Sequence, residues 1–85
     1  MDTHLELIKT IKQNEEWTKA SWLADRYDLT RKTAMYLLDH HVDMKRLFAR
    51  LVKLPKGERR TAKNTDKEYK ISNEGIKWVE EKERG

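Results

Sequence analysis

The 85-residue chain contains no cysteine, which excludes disulfides, zinc ribbons, iron–sulfur clusters and thiol nucleophiles together. No apolar run approaches the ~18 residues of a membrane-spanning helix, and no apolar stretch follows a basic start, so neither a span nor a signal peptide is expected. Hydrophobic residues are few, 36% against 40% charged, which places the chain toward the polar end of sequences that still fold. It has no glycine-rich phosphate loop and no defined acid–base pair, so an enzyme is not expected. Internal repeats and low-complexity segments are also missing. A chain this short has room for one small core, so residues 1–85 are expected to form a single domain. Its three Trp, three Tyr and one Phe favour folding, because each buried aromatic removes roughly 150–250 Å² from water.

The charge that is present is unevenly placed. Residues 1–28 carry four Lys or Arg against six Asp or Glu, and residues 71–85 carry three against four. Residues 29–70 carry twelve against five, so the net positive charge is concentrated in the middle of the chain. Such a patch points to a polyanion partner; the alternative is a solvated surface that keeps the protein in solution.

Apolar spacing gives the order of elements. Leu5, Leu7, Ile8 and Ile11 recur at three and four, with Asp2 or Thr3 to cap, predicting a helix over about 3–14. Trp17 and Thr18 suit a short extended connection. Thr18 is then the expected cap of a helix from Lys19 to about Tyr27, and Asp28-Leu29 is a turn. Thr30 caps a third helix in which Ala34, Leu37, Leu38, His41 and Val42 share one face, while Lys32, Tyr36 and His40 share the opposite one. Whether Met44–Leu47 prolongs it is left open by the pattern. Leu51-Val52-Lys53-Leu54 reads as a strand stopped by Pro55-Lys56-Gly57. The segment 58–66 reads as an exposed loop and 68–71 as a strand of period two. Ser72 caps a last helix to about Lys82, with Ile76 and Val79 inward.

Two local patterns within this order carry a resemblance. The first is Thr18, Leu23-Ala24, then Asp28-Leu29-Thr30-Arg31-Lys32-Thr33-Ala34, then Leu38. The second is Tyr69-Lys70-Ile71-Ser72-Asn73-Glu74-Gly75. Together, from about Leu5 to Val79, they resemble the winged-helix branch of helix-turn-helix DNA-binding domains, as found in small bacterial and archaeal regulators. Asp28 stands where that family usually has glycine; Asp tolerates left-handed geometry better than most residues. The resemblance implies an α+β fold: a three-helix core, a small antiparallel β-hairpin wing and a C-terminal helix.

It also implies double-stranded DNA as partner and transcription regulation as role, in an intracellular, cytoplasmic, nucleoid-associated protein. The recognition helix, about 31–42, would enter the major groove N-terminus first, presenting Thr30, Arg31, Lys32 and Thr33. Arg31 or Lys32 would read guanine, and Tyr36 and His40 would contact a phosphate or a base edge deeper along the groove. Arg59, Arg60 and Lys63 on a wing over about 56–67 would reach the flanking backbone or a minor groove. If five or six cations neutralise phosphates, log affinity falls against log salt with a slope near −5. Other readings are docking of the basic face on an acidic protein, or single-stranded or RNA binding through an exposed sheet aromatic, for which Tyr69 is the candidate. Trp22, Trp78 and Met44 are assigned to the core, or alternatively to a homodimer interface. His40 and His41, adjacent on a helix, point about 100° apart and are not expected to hold a metal. Asp39 and Asp43 are read as solvated helix positions. No cofactor and no small-molecule effector are expected.

Overall fold

Helices and strands follow in the order α1 (Thr3–Asn14), β1 (Thr18–Lys19), α2 (Ala20–Arg26), α3 (Arg31–Asp43), β2 (Leu47–Leu51), β3 (Lys67–Ile71) and α4 (Asn73–Arg84). The computed structural model describes residues 2–85. The architecture is α+β: four helices and a three-stranded antiparallel sheet with strand order β1-β3-β2, a layout compatible with the winged-helix arrangement. Among the described residues, no helix is long and apolar enough to cross a membrane.

The core takes Leu7, Ile8 and Ile11 from α1, Ala20 and Leu23 from α2, Leu38 from α3, and Leu47, Tyr69 and Val79 from β2, β3 and α4. Burying a Leu or Ile fully contributes about 1.5–3 kcal/mol, so these few side chains decide how the helices sit on the sheet. Tyr69 is 0% exposed, and its hydroxyl donates to Oδ1 of Asp39 at 2.8 Å. Burial and that carboxylate push the phenol well above its ordinary pKa. Tyr69 is therefore not the exposed sheet aromatic that the single-stranded reading requires. Trp22 and Met44 do not complete the core either: both are exposed, and only Trp78 packs against it.

Three helices are capped from their own sequence. Asp2 accepts from the Leu5 N–H at 3.2 Å, Thr30 from the Thr33 N–H at 3.1 Å, and Ser72 from the Gly75 N–H at 3.1 Å. The fourth is not. Thr18, expected to cap α2, belongs to β1 and faces Tyr69 across the sheet. The residue at the α2 cap position is Lys19, whose side chain caps nothing. The carboxylate comes instead from Asp66, 45 residues away, which accepts from the Ser21 N–H at 3.2 Å and hydroxyl at 2.6 Å.

Helices α2 and α3 are each followed by a left-handed residue. Asp28 has φ 55°, and beyond it the Leu29 N–H reaches back to the Ala24 carbonyl at 2.8 Å. At the end of α3, Lys45 has φ 65°, with the Arg46 N–H on the His41 carbonyl at 2.9 Å and the Lys45 N–H on that of Val42 at 3.0 Å. This is a Schellman closure. It ends α3 at Asp43 and sends the chain straight into β2, so the strand occupies Leu47–Leu51 and not 51–54 as the aliphatic run suggested. Leu47, opposite Ile71, is the residue of β2 buried in the core. Val52 still donates to the Asp66 carbonyl at 3.1 Å, and the connection to β3 therefore spans residues 52–66, starting earlier than the expected wing.

Candidate nucleic-acid interface

The polar face of α3 follows from its apolar one. Ala34, Leu38 and His41 are buried, which turns Lys32, Tyr36 and His40 outward. All three are exposed, Tyr36 to 78%. At 1.5 Å per residue the stripe from Lys32 to His40 runs ~12 Å along the helix, close to the width of a major groove. Thr33 is exposed at the start of the stripe, its hydroxyl accepting from that of Thr30 at 2.8 Å.

Arg31 sits differently. It is half-buried, and its Nη2 donates to the backbone carbonyl of Lys63 in the β2–β3 loop. The first turn of α3 and the loop are thereby brought side by side. The loop closes on itself: Asn64 Nδ2 donates to the Arg59 carbonyl at 2.8 Å, Asn64 Oδ1 accepts from the Thr61 N–H at 2.7 Å, and Arg60 Nη2 donates to the Val52 carbonyl at 3.2 Å. Arg59, Arg60 and Lys63 are all exposed on it.

Charge at the helix starts separates α3 from the others. A helix N-terminus carries partial positive charge and is stabilised by carboxylates. Helix α1 has Asp2 and Glu6, α4 has Glu74, and α2 receives Asp66. Helix α3 has no acidic residue in its first turn, and no carboxylate bonds its N–H groups among the described residues. It opens instead on Arg31 and Lys32. Further along the helix, Asp39 is partly exposed as expected but is also engaged: it holds Lys67 Nζ at 2.8 Å as well as the Tyr69 hydroxyl, so its charge is already compensated. Sequence reasoning missed Asp39 and the Arg31 bond because both partners lie about 30 residues distant.

The three histidines converge at the other end of α3. His4 Nδ1 and His41 Nε2 lie 2.8 Å apart, and the His40 ring is 5.9 Å from that of His4 and 5.3 Å from that of His41. Two of the ring nitrogens are thus engaged with each other. Among the described residues, no group of three or more His, Asp or Glu is placed to hold a metal ion. Comparison with known proteins finds no family model, curated protein or solved structure that matches the chain.

Proposed function

We propose that this chain is a winged-helix protein that binds double-stranded DNA and regulates transcription, with α3 as recognition helix and the 52–66 loop as wing. The observation that carries the reading is the start of α3. Two cations stand at the positive end of a helix dipole, where a carboxylate would contribute about 0.3–1 kcal/mol, and the loop that bears Arg59, Arg60 and Lys63 is held beside them. An arrangement that is locally unfavourable in the free protein becomes favourable when an anion arrives. Duplex phosphate supplies that anion, and the exposed stripe of Lys32, Tyr36 and His40 matches the groove that phosphates flank.

In this reading Lys32 leads into the groove, Arg31 both positions the wing and faces phosphate, and Thr33, Tyr36 and His40 line the base edges. The test is a titration of duplex DNA at two salt concentrations with the wild type, Lys32→Ala, and the Arg31→Ala, Lys32→Ala double variant. With five or six cations on phosphates the slope of log affinity against log salt lies near −5, and removing Lys32 lowers its magnitude by about 0.9. Duplex affinity equal in the double variant and the wild type would reject α3 as the reading element. No duplex binding even at low salt would instead favour docking of the same face on an acidic protein.

A further inference from the structure

The sheet has one edge at β2, and the geometry points to that edge as a pairing surface for a second copy of this chain, the two β2 strands running antiparallel about a two-fold axis at Ala49. Three observations converge on that register. The first is which backbone groups are free. At the two ends of the β2–β3 pairing, the Ser72 N–H donates to the Arg46 carbonyl and the Val52 N–H to the Asp66 carbonyl. Antiparallel bonds alternate along a strand, so with the register Phe48↔Lys70 and Arg50↔Glu68 the even-numbered residues face β3. Leu47, Ala49 and Leu51 direct their N–H and C=O groups away from the sheet. A two-fold at Ala49 places Ala49 against its own copy and Leu47 against Leu51 of the second copy, each pair exchanging both hydrogen bonds.

The second is what the strand exposes. Phe48 is 58% and Leu51 50% exposed. An edge strand ordinarily carries a proline, a bulge or an outward-reaching charge that blocks further pairing, and Leu47–Leu51 contains neither proline nor glycine and pairs with β3 without a bulge. Its single charge does not guard the edge: the Arg50 guanidinium lies 4.0 Å from the Trp17 ring centroid, reaching back across the sheet, and Glu68 Oε1 holds its Nε at 2.5 Å.

The third is that the strand complements itself. The same two-fold sets Phe48 opposite Arg50 of the second copy, twice per dimer. The Phe48 ring meets the methylene stem of an arginine whose guanidinium is drawn toward Trp17 and Glu68, aliphatic meets aliphatic on the other side, and no like charges oppose within the strand. An unrelated strand would have to reproduce that pattern; a second copy has it by symmetry.

The sign of the charge at position 48 provides the test. In sedimentation equilibrium of the full chain from micromolar to submillimolar concentration, the wild type forms a dimer. Phe48→Lys places a cation opposite Arg50 twice, and weakens dimerisation about tenfold or more. Phe48→Glu removes the same apolar surface but faces Arg50 with an opposite charge, and dimerises more tightly than Phe48→Lys. Phe48 is exposed, and circular dichroism checks that both variants fold. A wild type that stays monomeric, a dimer insensitive to Phe48→Lys, or equal weakening by both substitutions would overturn the proposal. No nucleic acid enters the measurement, so its outcome is independent of the DNA-binding reading.

Discussion

The guanidinium of Arg31, first residue of α3, donates to the carbonyl of Lys63 in the loop between β2 and β3. Two segments 32 residues apart in sequence are joined by this bond. The bond is near the surface, so its net worth is about 0.5–1.5 kcal/mol. Arg31→Ala therefore raises the population of an opened loop by about two- to tenfold. Limited trypsin digestion reads this directly, because Arg59, Arg60 and Lys63 are exposed cleavage sites on that loop. An unchanged cleavage rate at those three positions would mean that the contact does not order the loop.

Asp66 is the remote cap of α2, and its removal is expected to act on a helix to which it is not adjacent in sequence. The residue is buried, 8% exposed, and its carboxylate serves the Ser21 N–H, the Ser21 hydroxyl and the Lys67 N–H at 2.9 Å. Asp66→Ala leaves those donors without a partner and lowers stability by about 2 kcal/mol. Asp66→Asn retains an accepting oxygen and loses about half as much. Urea unfolding measures both. A loss for Asp66→Ala within the scatter of ordinary surface changes would show that water takes over the cap.

Gly75 has a reason that the sequence pattern carried without explaining. A Cβ built there would overlap the carbonyl oxygen of Arg46 and sit 2.7 Å from Cγ1 of Ile71. The first turn of α4 thus presses on the start of β2, where Ser72 is bonded to the Lys45 and Arg46 carbonyls. At an open helix position Gly→Ala stabilises by about 1 kcal/mol. Here the clash is larger, and Gly75→Ala is expected to destabilise by about 1–3 kcal/mol. An increase in the urea midpoint would show that α4 can shift without strain.

These cases mark what was legible in the sequence. Helices α1, α3 and α4 were readable because the apolar period and the capping residue lie within one turn of each other: Asp2, Thr30 and Ser72 all cap as their positions suggest. The outward stripe Lys32, Tyr36 and His40 was readable for the same reason, as the complement of a buried face. The cap of α2 was not, since Thr18 is as good a local candidate as any and only the fold brings Asp66 near. Strand β2 was misplaced because strand patterning reports burial. Phe48, Ala49, Arg50 and Leu51 are all exposed at a sheet edge, so they carry no alternation to read. That Tyr69 is buried depends on the acceptor Asp39 of α3, which no pattern in the strand encodes.

His41 is the last case, and it fixes how stability depends on pH. The side chain is buried at 2% exposure near the end of α3. Arg46 Nη1 approaches its Nδ1 at 3.4 Å. Arginine only donates, so Nδ1 accepts, and Nε2 carries the proton that is donated to His4. A second proton has no place in that arrangement. Burial first, then the neighbouring His4, Arg46 and His40, lower its pKa from 6.5 to about 4, with Asp2 acting weakly in the other direction. The folded pKa lies below the unfolded one, so the unfolded chain binds the proton more readily. The contribution of neutral His41 is therefore complete above about 6.5 and is lost as pH falls toward 4, by as much as ~3 kcal/mol. Urea midpoints of the wild type should fall through this window more steeply than those of His41→Gln, which cannot titrate. The difference between the two curves isolates His41 from the carboxylates that titrate at the acid end. Parallel curves would mean that His4 and Arg46 move aside and let the imidazole ionise without cost.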